Sequence, residues 1–191
     1  MRVMLIIWKS LIQSKMDYCS QLWSPTDQAS ISRLESVARN FTSQISGMEN
    51  KDYWERLHDL HLYSQERRRE CYMIILLWKI AQGYVGGYDV SFHSNPRRGR
   101  EAEVKVVNMR SPLAVKRARL ASLSVRGSKL FNCIPTGLRN MSVGTVDQFK
   151  AGLDAWLATI PDEPTVPGRQ RAAVTNSLLD QTALTHMFNY T

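Results

Sequence analysis

The run from Cys71 to Trp78 constrains the fold of this chain most, because all of its residues are hydrophobic. A run of eight hydrophobic residues falls well short of the roughly 20 that a membrane-spanning helix needs. Ser64 before the run is a helix N-cap candidate and Gly83 after it is a stop signal, which predicts a helix over residues 65–82. Since a helix that is hydrophobic on every side is normally buried, we expect this one to be the central helix of a bundle.

Hydrophobic residues at helical spacing predict further helices on both sides of the central one. Two of them open with capping-box patterns, at residues 52–55 and 145–148, which satisfy backbone N–H groups of the first helical turn. The predicted helices, including the central one, cover residues 1–22, 31–45, 52–60, 65–82, 120–134 and 146–160. We therefore expect a mainly α fold.

The predicted helices and the composition divide the chain into four parts. A helical bundle is expected in residues 1–88 and a C-terminal helical segment in residues 119–160. The basic connector between them, residues 89–118, has short β-like runs on both sides of the turn-rich loop 95–100, which is compatible with a small β-hairpin. Residues 161–191 are predicted to be a proline-rich spacer and tail, because three prolines within seven residues disfavour regular structure.

The positive charge of the chain is concentrated in residues 93–139, which we call the basic window. The net charge of the chain is +8, and the basic window holds eleven Lys and Arg against two acidic residues, a balance of +9. The remaining residues therefore carry −1 in total. Clustered positive charge is typical of proteins that bind a polyanion, most often nucleic acid. The alternative is a solvated surface that keeps the protein soluble.

Basic side chains are the main candidate functional residues. Arg67, Arg68 and Arg69 lie at a helix start, where the helix dipole favours anions, so they need partners, either acids of another helix or phosphates. Contacts with phosphates position a strand and carry little base specificity. Tyr84 and Tyr88, near the basic window, are candidates for stacking on bases. The candidate nucleic-acid-binding residues are Arg67, Arg68, Arg69, Arg97, Arg98, Arg100, Lys116, Arg117, Arg119, Arg126 and Lys129.

The sequence offers no catalytic or metal-binding set. His58 and His61 with Cys71 lack the paired ligands of a zinc site, and Cys71 belongs to the hydrophobic run. Cys133 has no neighbouring histidine that would activate it, so we expect it to pack in the core. We therefore predict no catalytic residues, no metal site, no cofactor and no small-molecule substrate.

The cysteines and the hydrophobic runs bear on the compartment. Three cysteines far apart in the sequence do not suggest a disulfide framework and suit a reducing environment. No secretory signal is evident, because the hydrophobic run near the N-terminus covers only residues 3–8. The sequence therefore predicts an intracellular protein, in the nucleus or the cytoplasm, without a membrane partner.

Four segments of the chain, taken in order, resemble one family of polymerases. Residues 8–25 end in Trp-Ser-Pro, and residues 53–69 contain Tyr-x-x-Arg-Leu followed by Glu-Arg-Arg-Arg. Residues 127–135 read Gly-Ser-Lys-Leu-Phe-Asn-Cys-Ile-Pro, and residues 146–157 read Val-Asp-Gln-Phe-Lys-Ala-Gly-Leu-Asp-Ala-Trp-Leu. Together these segments resemble the C-terminal part, the thumb and the region after it, of non-LTR retrotransposon (LINE) reverse transcriptases of the Jockey and chicken-repeat type. Trp8 departs from the tyrosine that is usual in this family.

This resemblance extends to about Asp180 and implies a thumb-like helical bundle in residues 1–88 that closes over a template–primer duplex. It implies RNA or an RNA–DNA hybrid as a partner, together with the missing palm domain of the parent polymerase. The palm of these enzymes carries a Tyr-x-Asp-Asp hairpin that binds the catalytic metal ions, and no Asp-Asp occurs in this chain. We therefore expect binding of RNA or RNA–DNA duplex without sequence preference, and no polymerase activity from this chain alone.

Two alternative interpretations stay open from the sequence. The first is a helical protein–protein interaction module, which the proline-rich spacer and the tail would suit. The second is an inert, decayed copy of a retrotransposon gene, because Met1 falls inside a predicted helix. Under the main interpretation, a bundle without its palm domain would expose hydrophobic surface, so we expect self-association.

Overall fold

The computed structural model describes residues 2–86, 92–95, 100–104, 122–139, 144–164 and 176–181, and this part of the chain is mainly α-helical, as predicted. The α-helices are α1 (Arg2–Ile7), α2 (Ser14–Asp17), α3 (Ser20–Trp23), α4 (Gln28–Ser43), α5 (Tyr53–Asp59), α6 (Gln65–Ala81), α7 (Ser128–Cys133), α8 (Thr136–Arg139) and α9 (Val146–Leu157). The π-helical segments Trp8–Gln13 and Leu123–Gly127 precede α2 and α7, and the strands are β1 (Phe92–Asn95) and β2 (Arg100–Val104).

The chain divides into two compact units. The first unit comprises residues 1–69 and 162–177, and the second comprises residues 70–161 and 178–191. The sequence predicts a boundary at residue 88 and a proline-rich spacer and tail over residues 161–191. The Asp162 carboxylate accepts a hydrogen bond from the Ser64 hydroxyl, and the Asn176 amide donates to the same hydroxyl oxygen, which attaches these two residues to the first unit.

The core of the first unit lies where α4 and α5 pack on the N-terminal helical region. Its main cluster contains Trp8, Ala38, Tyr53 and Leu57, all buried. The indole of Trp8 and the ring of Phe41 lie 5.0 Å apart between centroids. A second cluster of buried residues joins Ile45, Met48 and Leu60. These residues fill the bundle that the helical periodicity predicts.

The helix over residues 1–22 is interrupted, which corrects the prediction of a continuous helix. The π-helical segment Trp8–Gln13 has i→i+5 hydrogen bonds and therefore shifts the helix face, so that Gln13 is buried while Leu11 is 60% exposed. The helix then breaks at Cys19, whose φ of 49° is left-handed. This conformation is costly for a residue with a side chain, and no sequence signal for it is present.

Helix α4 follows its sequence signals at both ends. The Asp27 carboxylate accepts a hydrogen bond from the backbone N–H of Ser30 at 2.9 Å and caps the first turn. After the last turn, Gly47 takes a φ of +88°, which glycine adopts without a steric penalty. Among the hydrophobic residues at helical spacing in residues 31–45, Ile31, Ala38 and Ile45 are buried, but Val37 is 41% exposed.

The second unit is organised around the hydrophobic part of α6. Met73, Ile74, Leu77 and Trp78 are buried, which confirms the prediction of a central helix. The indole of Trp78 stacks on Phe149 of α9, with ring centroids 4.6 Å apart. This contact places α9 directly against the hydrophobic run.

Helices α7 and α9 meet their sequence signals only in part. Thr145 and Gln148 form the predicted capping box that opens α9. The sequence predicts one helix over residues 120–134. The structure shows a π-helical segment that ends at the buried Gly127, followed by α7. A Cβ at Gly127 would lie 2.9 Å from Leu123 Cδ1 and 3.0 Å from Leu77 Cδ1, so only glycine fits without a shift of these side chains.

The two strands form an antiparallel ladder within the predicted basic connector. Phe92 pairs with Val104, His93 with Glu103 and Asn95 with Arg100, with an irregularity between His93 and Asn95. Strand β2 lies beside α7 and α8. The second strand begins at Arg100, four residues before the β-like run that starts at Val104 in the sequence.

Candidate nucleic-acid interface

The three adjacent arginines of α6 have acidic partners within the protein. Ser64 caps the helix, and its hydroxyl accepts a hydrogen bond from the backbone N–H of Arg67 at 3.1 Å. The guanidinium of Arg67 is fully buried, with Nε 3.6 Å from the Asp162 carboxylate. Arg68 donates from Nε to the Asp17 carboxylate at 2.8 Å. The sequence leaves acids and phosphates open as partners of these arginines. The structure shows acids of other segments in that role.

Arg69 belongs to the same buried charge system. Its exposed fraction is 4%, and it lies near Glu35; burial raises the pKa of the Glu35 carboxyl, and the positive charge of Arg69 offsets part of that rise. In the described conformation Arg67 and Arg69 do not reach the surface, so a phosphate has no direct access to them. Arg68 remains partly exposed beside Asp17.

Arg126 is held by a buried glutamate of α6. Its Nη2 donates to Glu70 Oε1 at 2.9 Å, and the Glu70 side chain is only 1% exposed. The other Glu70 oxygen accepts the backbone N–H of Leu178 at 2.8 Å. Arg126 therefore neutralises a buried carboxylate and is a structural residue of the second unit.

Lys129 is a candidate in the basic window. It lies on α7, and its side chain is exposed. Arg100 begins strand β2, where the ladder places its backbone opposite Asn95. The remaining candidates lie outside the described residues; they are Arg97, Arg98, Lys116, Arg117 and Arg119. Among the residues that the structure describes, these candidates therefore do not form a common surface.

A buried carboxylate at the start of α6 was not found by the sequence analysis. Glu35 of α4 is 7% exposed and accepts hydrogen bonds from the hydroxyl of Tyr53 and from the backbone N–H of Gln65, the latter at 3.0 Å. Burial is the largest cause of a raised pKa for Glu35, and the two hydrogen bonds act in the opposite direction. The pKa of Tyr53 is also raised, first by burial and then by the neighbouring Glu35 charge.

Asp162 and Asn176 complete this buried cluster in the first unit. Asp162 accepts hydrogen bonds from the backbone N–H of Ser64 at 2.7 Å and from its hydroxyl at 2.8 Å. The Asn176 amide donates to Ser64 Oγ at 3.0 Å and to Asp162. Its backbone N–H donates to Glu66 at 3.0 Å. The cluster therefore fixes the start of α6 to a stretch about one hundred residues away in sequence.

No local pattern signals this cluster, because its hydrogen bonds, apart from the N-cap of Ser64, join residues 14 to 112 positions apart. The N-cap at Ser64 was the one component that the sequence indicated. Glu35 lies beside a hydrophobic stripe, where an acidic residue is usually solvated. Its burial depends on the donors of α5 and α6, which only the three-dimensional arrangement supplies.

The described residues contain no group of three or more His, Cys, Asp or Glu side chains that could hold a metal ion. Cys71 is buried, as expected from the hydrophobic run, and Cys133 is half-buried. The His58 side chain is 89% exposed and contacts Asp59. Among the helices that the structure describes, none is long and hydrophobic enough to cross a membrane.

The tryptophans and Tyr84 differ in how far they are available to a ligand. Trp78 is fully buried, and Trp54 and Trp156 are half-buried. Trp23 is 41% exposed, and Tyr84 is 59% exposed. Tyr88, the other stacking candidate, lies outside the described residues.

Comparisons with known proteins give no family. No protein-family model matches this chain, and neither a curated protein nor a solved structure matches it.

Proposed function

We propose that this chain is a thumb and post-thumb segment of a non-LTR retrotransposon reverse transcriptase, and that it binds RNA or an RNA–DNA hybrid without sequence preference. The resemblance of four segments in order supports the lineage. The single observation that carries the binding activity is the balance of +9 in the basic window against −1 in the rest of the chain. We propose no polymerisation by these residues themselves, since they contain no Asp-Asp pair for catalytic metal ions.

The structure narrows the set of basic residues that the proposal uses. Arg67, Arg69 and Arg126 are engaged with acids in the interior, so we assign them a structural role. The proposed phosphate contacts are those of Lys129 and of the window residues Arg97, Arg98, Arg100, Lys116, Arg117 and Arg119. Such contacts grip the backbone of the nucleic acid and leave the base edges unread.

The test compares two variants of equal charge in binding a labelled RNA–DNA hybrid by fluorescence anisotropy. The first replaces Arg97, Arg98, Arg117 and Lys129 by alanine. The matched control replaces Lys9, Lys15, Arg33 and Lys150, all exposed and outside the basic window. The proposal predicts that the first variant loses most of the affinity at low salt and that the control stays close to the wild type. Equal losses in both variants would mean that only net charge matters.

A helical protein-interaction module is the second candidate, and one observation favours it. Val3, Ile6 and Leu11 of the N-terminal helical region are 68%, 58% and 60% exposed, and Leu22 is 77% exposed. Exposed hydrophobic side chains close together on a surface are typical of protein contacts. Under this function a partner would bind with little dependence on salt, and the two charge variants would bind it equally.

A further inference from the structure

The backbone at Tyr84 is fixed by the C-terminal cap of α6. Gly83 takes a φ of +76°, and its N–H donates to the carbonyl of Ile80 at 3.0 Å. The N–H of Tyr84 donates to the carbonyl of Lys79 at 2.9 Å. These two bonds form a Schellman motif, which ends the helix and holds the next residue in one position.

The ring of Tyr84 stacks on one buried aromatic ring, that of Trp78, which in turn stacks on Phe149. Its centroid is 5.8 Å from that of Trp78 with an interplanar angle of 25°, and Trp78 lies 4.6 Å from Phe149 at 10°. Trp78 and Phe149 are fully buried, whereas Tyr84 is 59% exposed. Tyr84 therefore contacts a buried ring while more than half of its surface is open to solvent.

The cap itself does not explain an exposed aromatic side chain. A Schellman motif favours a hydrophobic contact between this position and the last turns of the helix, and a leucine at position 84 would provide one against Trp78. Tyr18 is also exposed, at 77%, but the described part of the chain shows no ring stacked on it. Tyr84 thus combines exposure with a rigid aromatic support.

We propose that Tyr84 is a stacking platform for an unpaired base of a single-stranded nucleic acid. The proposal rests on the proposed function and adds a contact that does not depend on charge. A flat ring with few rotatable bonds loses little conformational entropy when a base stacks on it. Every base has an aromatic face, so the contact tolerates any sequence, in keeping with binding through phosphates. In the sequence, the basic window begins nine residues after Tyr84, so positive charge for phosphates is close by along the chain.

The experiment measures the affinity of a fluorescein-labelled uridine oligonucleotide for wild type, Tyr84→Leu and Tyr84→Phe over a range of salt concentrations. Leucine preserves the hydrophobic contact with Trp78 but removes the aromatic face, and Tyr18→Leu is the matched control. We expect Tyr84→Leu to bind about 5- to 150-fold more weakly. Tyr84→Phe and Tyr18→Leu should bind within about two-fold of the wild type. The slope of log K against log salt should stay unchanged in Tyr84→Leu, because no phosphate contact is removed.

A second measurement compares two oligonucleotides, and its wild-type part does not depend on how the variants fold. An oligonucleotide with the same backbone but abasic positions should bind more weakly than the uridine one. Tyr84→Leu should not weaken its binding any further. Two results would overturn the stacking proposal: equal affinity of the wild type for both oligonucleotides, or equal binding of the uridine oligonucleotide by wild type and Tyr84→Leu. If binding remained salt-sensitive, the proposed function would stand. Absence of binding to either oligonucleotide and to the hybrid at low salt would overturn both.

Discussion

The hydrogen bond from the Tyr53 hydroxyl to Glu35 allows a prediction of stability and of its pH dependence. Tyr53→Phe removes one of the donors to a carboxylate that is 7% exposed. A hydrogen bond to a charged group contributes about 1.5–3 kcal/mol, and one to a neutral group about 0.5–1.5 kcal/mol. The variant should therefore lose about 1.5–3 kcal/mol of unfolding free energy when Glu35 is ionised, and less when it is protonated.

The sign of the pH dependence follows from the raised pKa of Glu35. Its ordinary value is 4.5, and burial raises the pKa in the folded state. Between these two values the native state binds more protons than the unfolded state, so the contribution of Glu35 to stability falls as the pH rises through this window. Since the tyrosine hydroxyl stabilises the charged form, the cost of Tyr53→Phe should be larger at a pH well above this window than at a pH below it. In a Glu35→Gln background this difference should vanish.

The assay is urea unfolding followed by circular dichroism at both pH values. Tyr18→Phe is the matched control, because Tyr18 is 77% exposed and its loss should change stability by no more than about 0.5 kcal/mol. If Tyr53→Phe behaves like this control, or costs more at the lower pH, the account of Glu35 as a buried carboxylate held by Tyr53 is wrong.

Three further substitutions test other parts of the structure by the same unfolding assay. Asn176→Ala removes two hydrogen bonds at the start of α6 and should cost about 2–4 kcal/mol, against almost nothing for the exposed Asn40→Ala. Arg126→Met removes the ion pair that Arg126 makes with the buried Glu70 and should cost about 3–5 kcal/mol; an unchanged midpoint would contradict the pairing. Gly127→Ala places a Cβ against two leucine side chains and should cost about 1–3 kcal/mol, unless the leucines move away freely.

Local sequence signals predicted the helix ends well. The capping boxes at residues 52–55 and 145–148, the N-cap at Ser64 and the stop at Gly83 each depend on side chains within a few positions of the atoms they satisfy. A short-range pattern is sufficient in such cases, because the partners come from the same helical turn. The start and end of α6 could therefore be placed from the sequence.

Features that depend on distant partners were missed. The left-handed Cys19 and the π-helical segment after Ile7 have no local signature, so residues 1–22 were predicted as one continuous helix. The burial of Glu35 and Arg67 depends on donors and acids from other helices and from Asp162. The sequence left both acids and phosphates open as partners of the α6 arginines. The structure shows long-range ion pairs with acids.

The salt dependence of nucleic-acid binding by the wild-type protein tests the central claim most directly. Fluorescence anisotropy of a labelled RNA–DNA hybrid would be measured over a series of salt concentrations at constant pH. If about six basic side chains contact phosphates, the slope of log K against log salt should be roughly −4 to −5. A slope near zero, or no binding at low salt by the folded protein, would contradict the claim that the basic window grips a nucleic-acid backbone.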